Sequence, residues 1–526
     1  MGSAFGGLNI AVRGLSAQQM ALNTVGHNIS NANTAGYSRQ SVGVVASAPE
    51  TVTGPYGNLQ IGTGVDTQSV TRARDEFMDQ QYWKENTSLG YAQTQKDLMS
   101  QIEGVFNISS STSMQKVLDN FWSAWQTLGS NASDDSTRNL VLQRGTELVN
   151  TIRQASDQLK DQADSINTDL KLNVQTVNRI ASDILALNQK IAMAEVNAPG
   201  SANDLRDRRD LLVDELSDYV PVQVVEDRRG NYIIQSSNVT LVDAGRTTEL
   251  TTAARRDADY GYETLAIQAN GQDVEFTGGS LQGLVDMRDD GEFGIKGALN
   301  NLSTMSEFLM KDFNAIHRAG YGEDSSATDP AVGTGRNFFG ENVNYYDKQE
   351  KNPADPDYMS KNDWLQALAV NPALLNQTTH PSGLQMIAAK TANTQGNASG
   401  DNAVKLSQAL RMNVTDLLPE TEDPADPAGT KYQPTLGATA SLNSFYSGVI
   451  GTLGIQIASA TRVVANQKTL VAQIENWRQS TCGVNMDEEM SDMIRFQKGY
   501  NATARLITTM DEMYDKLINS TGVVGR

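Results

Sequence analysis

Disulfides are excluded at the outset, because the 526 residues contain a single cysteine, Cys482, with no partner in its own chain. Histidine is almost as scarce. His27, His317 and His380 lie far apart, each on a different predicted element, so they offer no cluster for a metal or an activated nucleophile. Positive charge is also in deficit. Lysine and arginine number 42 against 62 aspartate and glutamate, a net charge of −20, which excludes a chain built to displace counterions from nucleic acid. That charge reads as solubility. No run approaches twenty apolar residues, so the expectation is no membrane insertion. Met1 to Ile10 lacks the basic, apolar and small-residue order of a cleavable secretory signal. Aromatics are 6% of the chain, beside 39% hydrophobic and 20% charged residues. This mixture suits long helices, and the length suits two to four domains.

Proline is confined. Nine of the 13 prolines fall from Pro330 to Pro434, none between Pro55 and Pro199, and none after Pro434, so two long stretches are free of the residue that breaks helix interiors. In the first, Leu148, Ile152, Ala155, Leu159, Ile166, Leu170, Val174, Val177, Ile184, Leu187 and Ile191 recur at three- and four-residue steps. The spacing predicts one helix from about Thr137 to Asn197, ending near Pro199-Gly200, and a second over Asn203 to Tyr219 closed by Pro221. The period then changes. Val222 to Val225, Tyr232 to Ile234, Val239 to Val242 and Thr264 to Ile267 are short strand-like runs, parted by turn sequences such as Asn270-Gly271. Leu281 to His317 returns to helical spacing, and residues 320 to 434 read as acidic loops of an outer domain.

At the amino end, Leu8, Leu15, Leu22 and Ile29 recur every seventh residue, with Ala11 and Val25 between them. That pattern predicts a narrow apolar stripe seeking a partner helix. At the other end Met486, Met490, Met493, Tyr500, Ala504, Ile507, Met510, Tyr514 and Leu517 form a second stripe. Such helices are marginal until the stripe is buried. Chemistry is thin elsewhere. The glycines at 54, 57, 62 and 64 lack the lysine and hydroxyl residue of a phosphate loop and predict a hairpin turn. Asp487-Glu488-Glu489 stands in the first turn of a helix, where it complements the dipole. No catalytic, cofactor-binding or metal site is expected.

The segment Asn28-Ile-Ser-Asn31-Ala-Asn33-Thr34-Ala-Gly36-Tyr37-Ser-Arg-Gln40 resembles the amino-terminal signature of the bacterial flagellar rod, hook and hook-associated axial proteins. Its Asn, Thr and Gly residues end a helix, and Gly36 supplies a turn before Tyr37. Ile61 to Asp66, followed by Val70, Arg72, Asp75 and Phe77, resembles the second block of the hook-associated protein 1 family. Val484 to Leu517 resembles that family's closing helix. The rod and hook proteins share these ends, but the long proline-free helical stretch is similar to the junction protein.

The resemblance implies a multidomain, mainly α protein and no enzyme. Terminal helices would pair as a coiled coil (1–35 with 486–526), over a long-helix bundle domain (36–220 with 437–485). Beyond these come the β-rich inserted outer domains, namely a small β domain (221–286) and, after a helical connection (287–320), an outer inserted domain (321–436). It further implies export to the flagellum without a cleavable signal, and homo-oligomeric assembly through Leu8, Leu15, Leu22, Val25, Ile29, Met490, Met493, Tyr500, Ile507, Tyr514 and Leu517. The implied partners are the hook protein, the other hook–filament junction protein, the filament cap and an export chaperone on the carboxyl helix. Another rod or hook component and an extracellular coiled-coil adhesin are the alternatives.

Overall fold

A computed structural model describes residues 6–54, 57–106, 113–196, 198, 200–323, 335–348, 357–378, 382–418, 434–437 and 440–520. Its spine is α4, Asp135–Ala194, 60 residues long and so about 90 Å from end to end. Asp134 caps it by accepting from Ser136 N–H. The stripe read from the sequence is buried along this helix from Leu148 to Ile191.

Around the spine stand α2 (Glu76–Phe106), α3 (Met114–Ser130) and α5 (Asn203–Tyr219). Two short helices, α6 (Gly279–Asp289) and α7 (Ile295–Phe308), come next in sequence. The last is the 41-residue α12 (Leu442–Cys482), which runs along α2. A π turn, Leu309–Phe313, joins α7 to α8 (Asn314–Ala319). Among the described residues, the helical run Leu442–Asp515 holds an 18-residue window of mean hydropathy 1.3 that is 11% buried. That run is long and apolar enough to cross a membrane by length and composition. The sequence reading looked for a continuous apolar run and so passed over this window, whose apolar residues are interspersed with glycine, serine and threonine.

Two three-stranded antiparallel sheets lean on α4. The first is ordered β5 (Gln223–Glu226), β6 (Tyr232–Ser236), β7 (Val239–Val242). The second is ordered β10 (Gln272–Asp273), β9 (Glu263–Ala269), β8 (Leu250–Arg256). β8 escaped the sequence reading because Leu-Thr-Thr-Ala-Ala-Arg-Arg lacks apolar alternation. Asn270-Gly271 makes the expected tight turn, with φ of 52° and 77°. Asparagines of α4 clamp the sheets. Asn178 exchanges two hydrogen bonds with the Leu250 backbone, and Asn188 does the same with Tyr232.

The proline-rich segment contributes α9 (Lys361–Ala367), α10 (Pro372–Leu375) and α11 (Asp401–Arg411), with no strand longer than a single bridge among its described residues. Its Phe338 and Phe339 stack with Phe121, Trp125 and Phe313. Trp364, Leu374, Leu406 and Leu410 belong to the same continuous core. Buried aromatics thus tie this segment to α3 and the π turn. His380, residues 352–356 and the acidic run 419–427 lie outside the described residues.

Candidate assembly site: the terminal coil and its joint

The two chain ends meet. Helix α1 (Gly6–Asn31) packs along α13 (Met486–Asp515), and four contacts define one antiparallel register. Gly7 lies against Met510, Gly14 against Thr503, Gly499 against Gln18, and Asn28 hydrogen-bonds Glu489. Each step forward on α1 is matched by an equal step back on α13, so the helices hold one register for about six turns.

The α1 side of this seam is narrow. Gly7, Ala11, Gly14, Gln18, Ala21, Val25 and Asn28 fall on alternating four- and three-residue steps, and Ala11, Ala21, Val25 and Asn28 are buried. A methyl on Gly7 would come within 2.6 Å of Met510 Cε, and one on Gly499 within 2.8 Å of Gln18. Small residues let the backbones approach, and α13 continues unbroken through Gly499.

The expected leucine stripe is therefore displaced from the seam. Leu8, Leu15, Leu22 and Ile29 each follow a seam residue, about 100° around the helix, and all four are half-buried. On α13, Met493, Tyr500, Ile507 and Tyr514 are half-buried on the steps that contain Glu489, Thr503 and Met510. Met490 turns away, 51% exposed, with Met486 and Ile494. Leu517 falls in the π turn Lys516–Ser520 directly after α13. Heptad counting picked out the leucine face and passed over the adjoining seam within the chain, because alanine and glycine carry no apolar signal of their own.

Where the coil joins the body, Asn28 is 1% exposed and all its hydrogen-bonding capacity is used. Its amide donates to Gln40 O at 2.9 Å and Glu489 Oε2 at 3.0 Å; its oxygen accepts from Tyr37 O–H at 2.7 Å and Gln40 N–H at 3.0 Å. Burial, then Asp204, Asp207 and Glu489, push the Tyr37 phenol above its ordinary pKa and keep it a donor. Asn31 donates to His27 O, ending α1, and Thr34 Oγ1 donates to Asn31. Gly36 takes φ of 76°, with Leu211 Cβ 3.1 Å from where its own Cβ would be. Asn33 is exposed.

Arg39 ties both ends to this joint. Its backbone N–H donates to Cys482 O at 2.8 Å, and its guanidinium meets Glu488 at 3.2 Å and Glu489 at 2.9 Å. The acidic first turn of α13 thus reaches across the joint as well as facing its own dipole. Strand β4 (Val65–Arg72) pairs with β1 (Gln40–Ala46) beside α1, and Arg13 binds Asp66 at 2.9 Å.

Beneath lies a network that the sequence reading missed. Asp204, Asp207, Asp210 and Asp214 repeat at three- and four-residue steps on α5. Arg72 binds Asp207 and Asp210, Arg74 binds Asp79 at 2.7 Å, and Arg478 of α12 binds Asp79 and Asp214, each at 2.9 Å. Burial opposes ionisation of Asp210, yet Arg74 and Arg72 hold it below the ordinary carboxylate range. Burial dominates at Asp214, whose pKa rises to about 6. The signal was visible as an acidic helix face, but its arginine partners lie more than a hundred residues away. Among the described residues no group of histidine, cysteine and carboxylate side chains could hold a metal ion.

Three family profiles match. "Flagella basal body rod protein" covers residues 8–37, "Flagellar hook-associated protein FlgK helical domain" covers 99–339, and "Flagellar basal body rod FlgEFG protein C-terminal" covers 479–520. Flagellar hook-associated protein 1 of Bacillus subtilis is 31% identical over the whole of both chains. The Escherichia coli protein of that name is 28% identical over 97% of this chain and 99% of its own. The solved flagellar hook junction protein FlgK from Burkholderia pseudomallei superposes with a TM-score of 0.55 at 17% identity. The match covers 76% of this chain and all of that one, a likeness of fold.

Proposed function

The chain belongs to the flagellar hook-associated protein 1 family, and from that premise we propose that it joins hook to filament through the face of the terminal coil that its own seam leaves open. Its role is structural, at the hook–filament junction of the bacterial flagellum, in assembly with other axial proteins. The observation that carries the finer reading is the division of labour on α1. Glycine and alanine close the coil, while Leu8, Leu15, Leu22 and Ile29 stand beside it half-buried. A two-helix coil with a second apolar ribbon covers that ribbon by adding helices, here from neighbouring copies. Met486, Met490 and Ile494 extend the open apolar surface on α13.

On this reading the coils form the inner layer and the bundle of α2, α4, α5 and α12 the next, with residues from about 222 onward outside. Hook protein, the second junction protein and the filament cap are the axial partners, and an export chaperone covers the open face of α13 before assembly. The protein acts outside the cell, reached by export without a cleavable signal, and catalyses nothing. Leu15→Asp with Leu22→Asp tests the face. The expected result is a soluble chain with unchanged helicity by circular dichroism whose cells lose attached filaments. Normal motility with that double variant sinks the reading.

A further inference from the structure

We propose that the line of arginines and aspartates beneath the coil is a clasp worked by one proton, which tightens the body's hold on the coil when Asp214 is neutral and loosens it when Asp214 is charged.

Seven side chains alternate in sign along this line. Asp207 meets Arg72 at 2.7 Å, Arg72 meets Asp210 at 2.6 Å, and Asp210 meets Arg74 at 3.6 Å. Arg74 then meets Asp79 at 2.7 Å, and Arg478 bridges Asp79 and Asp214 at 2.9 Å each. The line begins and ends on aspartate, so four carboxylates share three guanidiniums and one negative charge is in surplus. Each inner aspartate lies between two cations, whereas an end aspartate has one. A charge taken out of water is costly unless it is paired, which puts the surplus at an end. Asp207 is the better held end, because it also accepts the Ser38 backbone N–H at 2.9 Å. Asp214 has Arg478 and one neutral donor, the Trp83 indole Nε1–H at 2.6 Å.

The surroundings of Asp214 do not cancel that surplus. Helix α2 presents Asp79, Tyr82 and Trp83, and the link before it presents Arg74. Helix α12 presents Glu475 and Cys482 beside Arg478, and α5 itself adds Asp210 and Asp218. Burial raises both end aspartates, Asp214 to about 6, while the inner Asp210 is lowered. With 15% of its side chain exposed, Asp214 exchanges its proton with water while the joint stays closed. Opening the joint returns it to the ordinary aspartate value of about 3.9. The closed value is the higher of the two, so the hold is fullest in acid and is lost as pH rises through 6. From pH 5 to 7.5 these two values give about a tenfold rise in the population of the open joint.

Both routes from coil to body run through this line. One leaves α13 backwards through residues 483–485 to Cys482, the last residue of α12, one turn beyond Arg478. There the Cys482 carbonyl accepts the Arg39 N–H. The other runs from α1 into β1, through the hairpin of β2 (Glu50–Gly54) and β3 (Gly57–Ile61), to β4, which ends on Arg72. Loosening the line therefore frees the coil to move against the bundle.

Cys482 reports the opening, since it is the only cysteine of the chain and is 7% exposed, so it meets a reagent when the end of α12 lifts. Full-length chain is labelled with a methanethiosulfonate at pH 5, 6 and 7.5, and each rate is divided by that of the same chain unfolded in urea at the same pH, which removes the titration of the thiol. The expected ratio rises about tenfold from pH 5 to 7.5 in the wild type and is flat in Asp214→Asn, an amide of similar size that carries no charge. Trp83→Phe removes the N–H that favours the charged form, so the midpoint of the rise should move to higher pH; this variant decides the matter if Asp214→Asn does not fold. A wild-type ratio that is flat or falls with pH overturns the clasp. So does a rise in Asp214→Asn equal to that of the wild type, or a Trp83→Phe midpoint that stays or moves down. The exposed pair of His27 and Asp204, 3.2 Å apart, also joins coil to body, but it is intact in both variants and cannot produce the expected pattern.

Discussion

Replacing Asn28 with leucine isolates the joint. The side chain is similar in size, but it strands the groups that Asn28 serves. Tyr37 is half-buried and can turn its hydroxyl to water, and Glu489 keeps Arg39 at 2.9 Å. The Gln40 N–H and C=O lose a partner each, and Gln40 is 8% exposed. A buried backbone group left unpaired costs about 1–3 kcal/mol, so the two together cost about 4 kcal/mol. At 1.4 kcal/mol per decade this raises the population of the undocked coil on the order of 1,000-fold. Hydrogen exchange with mass spectrometry reads the effect directly. Amides of α1 and α13 should exchange far faster in Asn28→Leu, with those at the centre of α4 unchanged. Asn33→Ala is the control, since Asn33 belongs to the same motif and is exposed. Acceleration under tenfold at α1 and α13, or equal acceleration in α4, would refute the claim that Asn28 holds the coil to the body.

Gly36→Ala places a Cβ at φ of 76° beside Leu211; left-handed backbone costs an L-residue about 1–2 kcal/mol, and the urea midpoint should fall accordingly, less so for Gly36→Asn. His317 should make stability depend on acid. Its Nδ1–H donates to Arg336 O and its Nε2 accepts from Ala388 N–H, and burial lowers its pKa to about 4 from 6.5. The folded value lies below the unfolded one, so the contribution is complete above pH 6.5 and is lost as pH falls towards 4, at most about 3 kcal/mol. Between pH 7 and 4 the urea midpoint should drop more steeply in the wild type than in His317→Gln; parallel curves would count against it.

Much of the architecture was legible because local rules set it. The run from Leu148 to Ile191 has one period and no proline, so α4 could be read almost to its ends, and α5 was read residue for residue. Asn270-Gly271 forms its turn because its backbone needs are local. The motif from Asn28 to Gln40 was legible as a resemblance, and Gly36 for its conformation. Legibility failed where an effect depends on what lies opposite. β8 is a strand because β9 and Asn178 complete its hydrogen bonds. Phe338 and Phe339 draw a proline-rich segment into the core because Phe121, Trp125 and Phe313 are there to receive them.

The coil shows the division most plainly. Sequence periodicity determined that both ends are helices with apolar stripes, since side-chain spacing along a helix is set by its pitch. Only the tertiary structure decided which face closes the pair, because the seam goes to the residues that let two backbones approach most closely. Gly7, Gly14 and Ala21 do so, and Leu8, Leu15 and Leu22 are left beside them. It also decided that the acidic face of α5 meets Arg72, Arg74 and Arg478, since ion pairs between distant segments form only once the chain has folded them together.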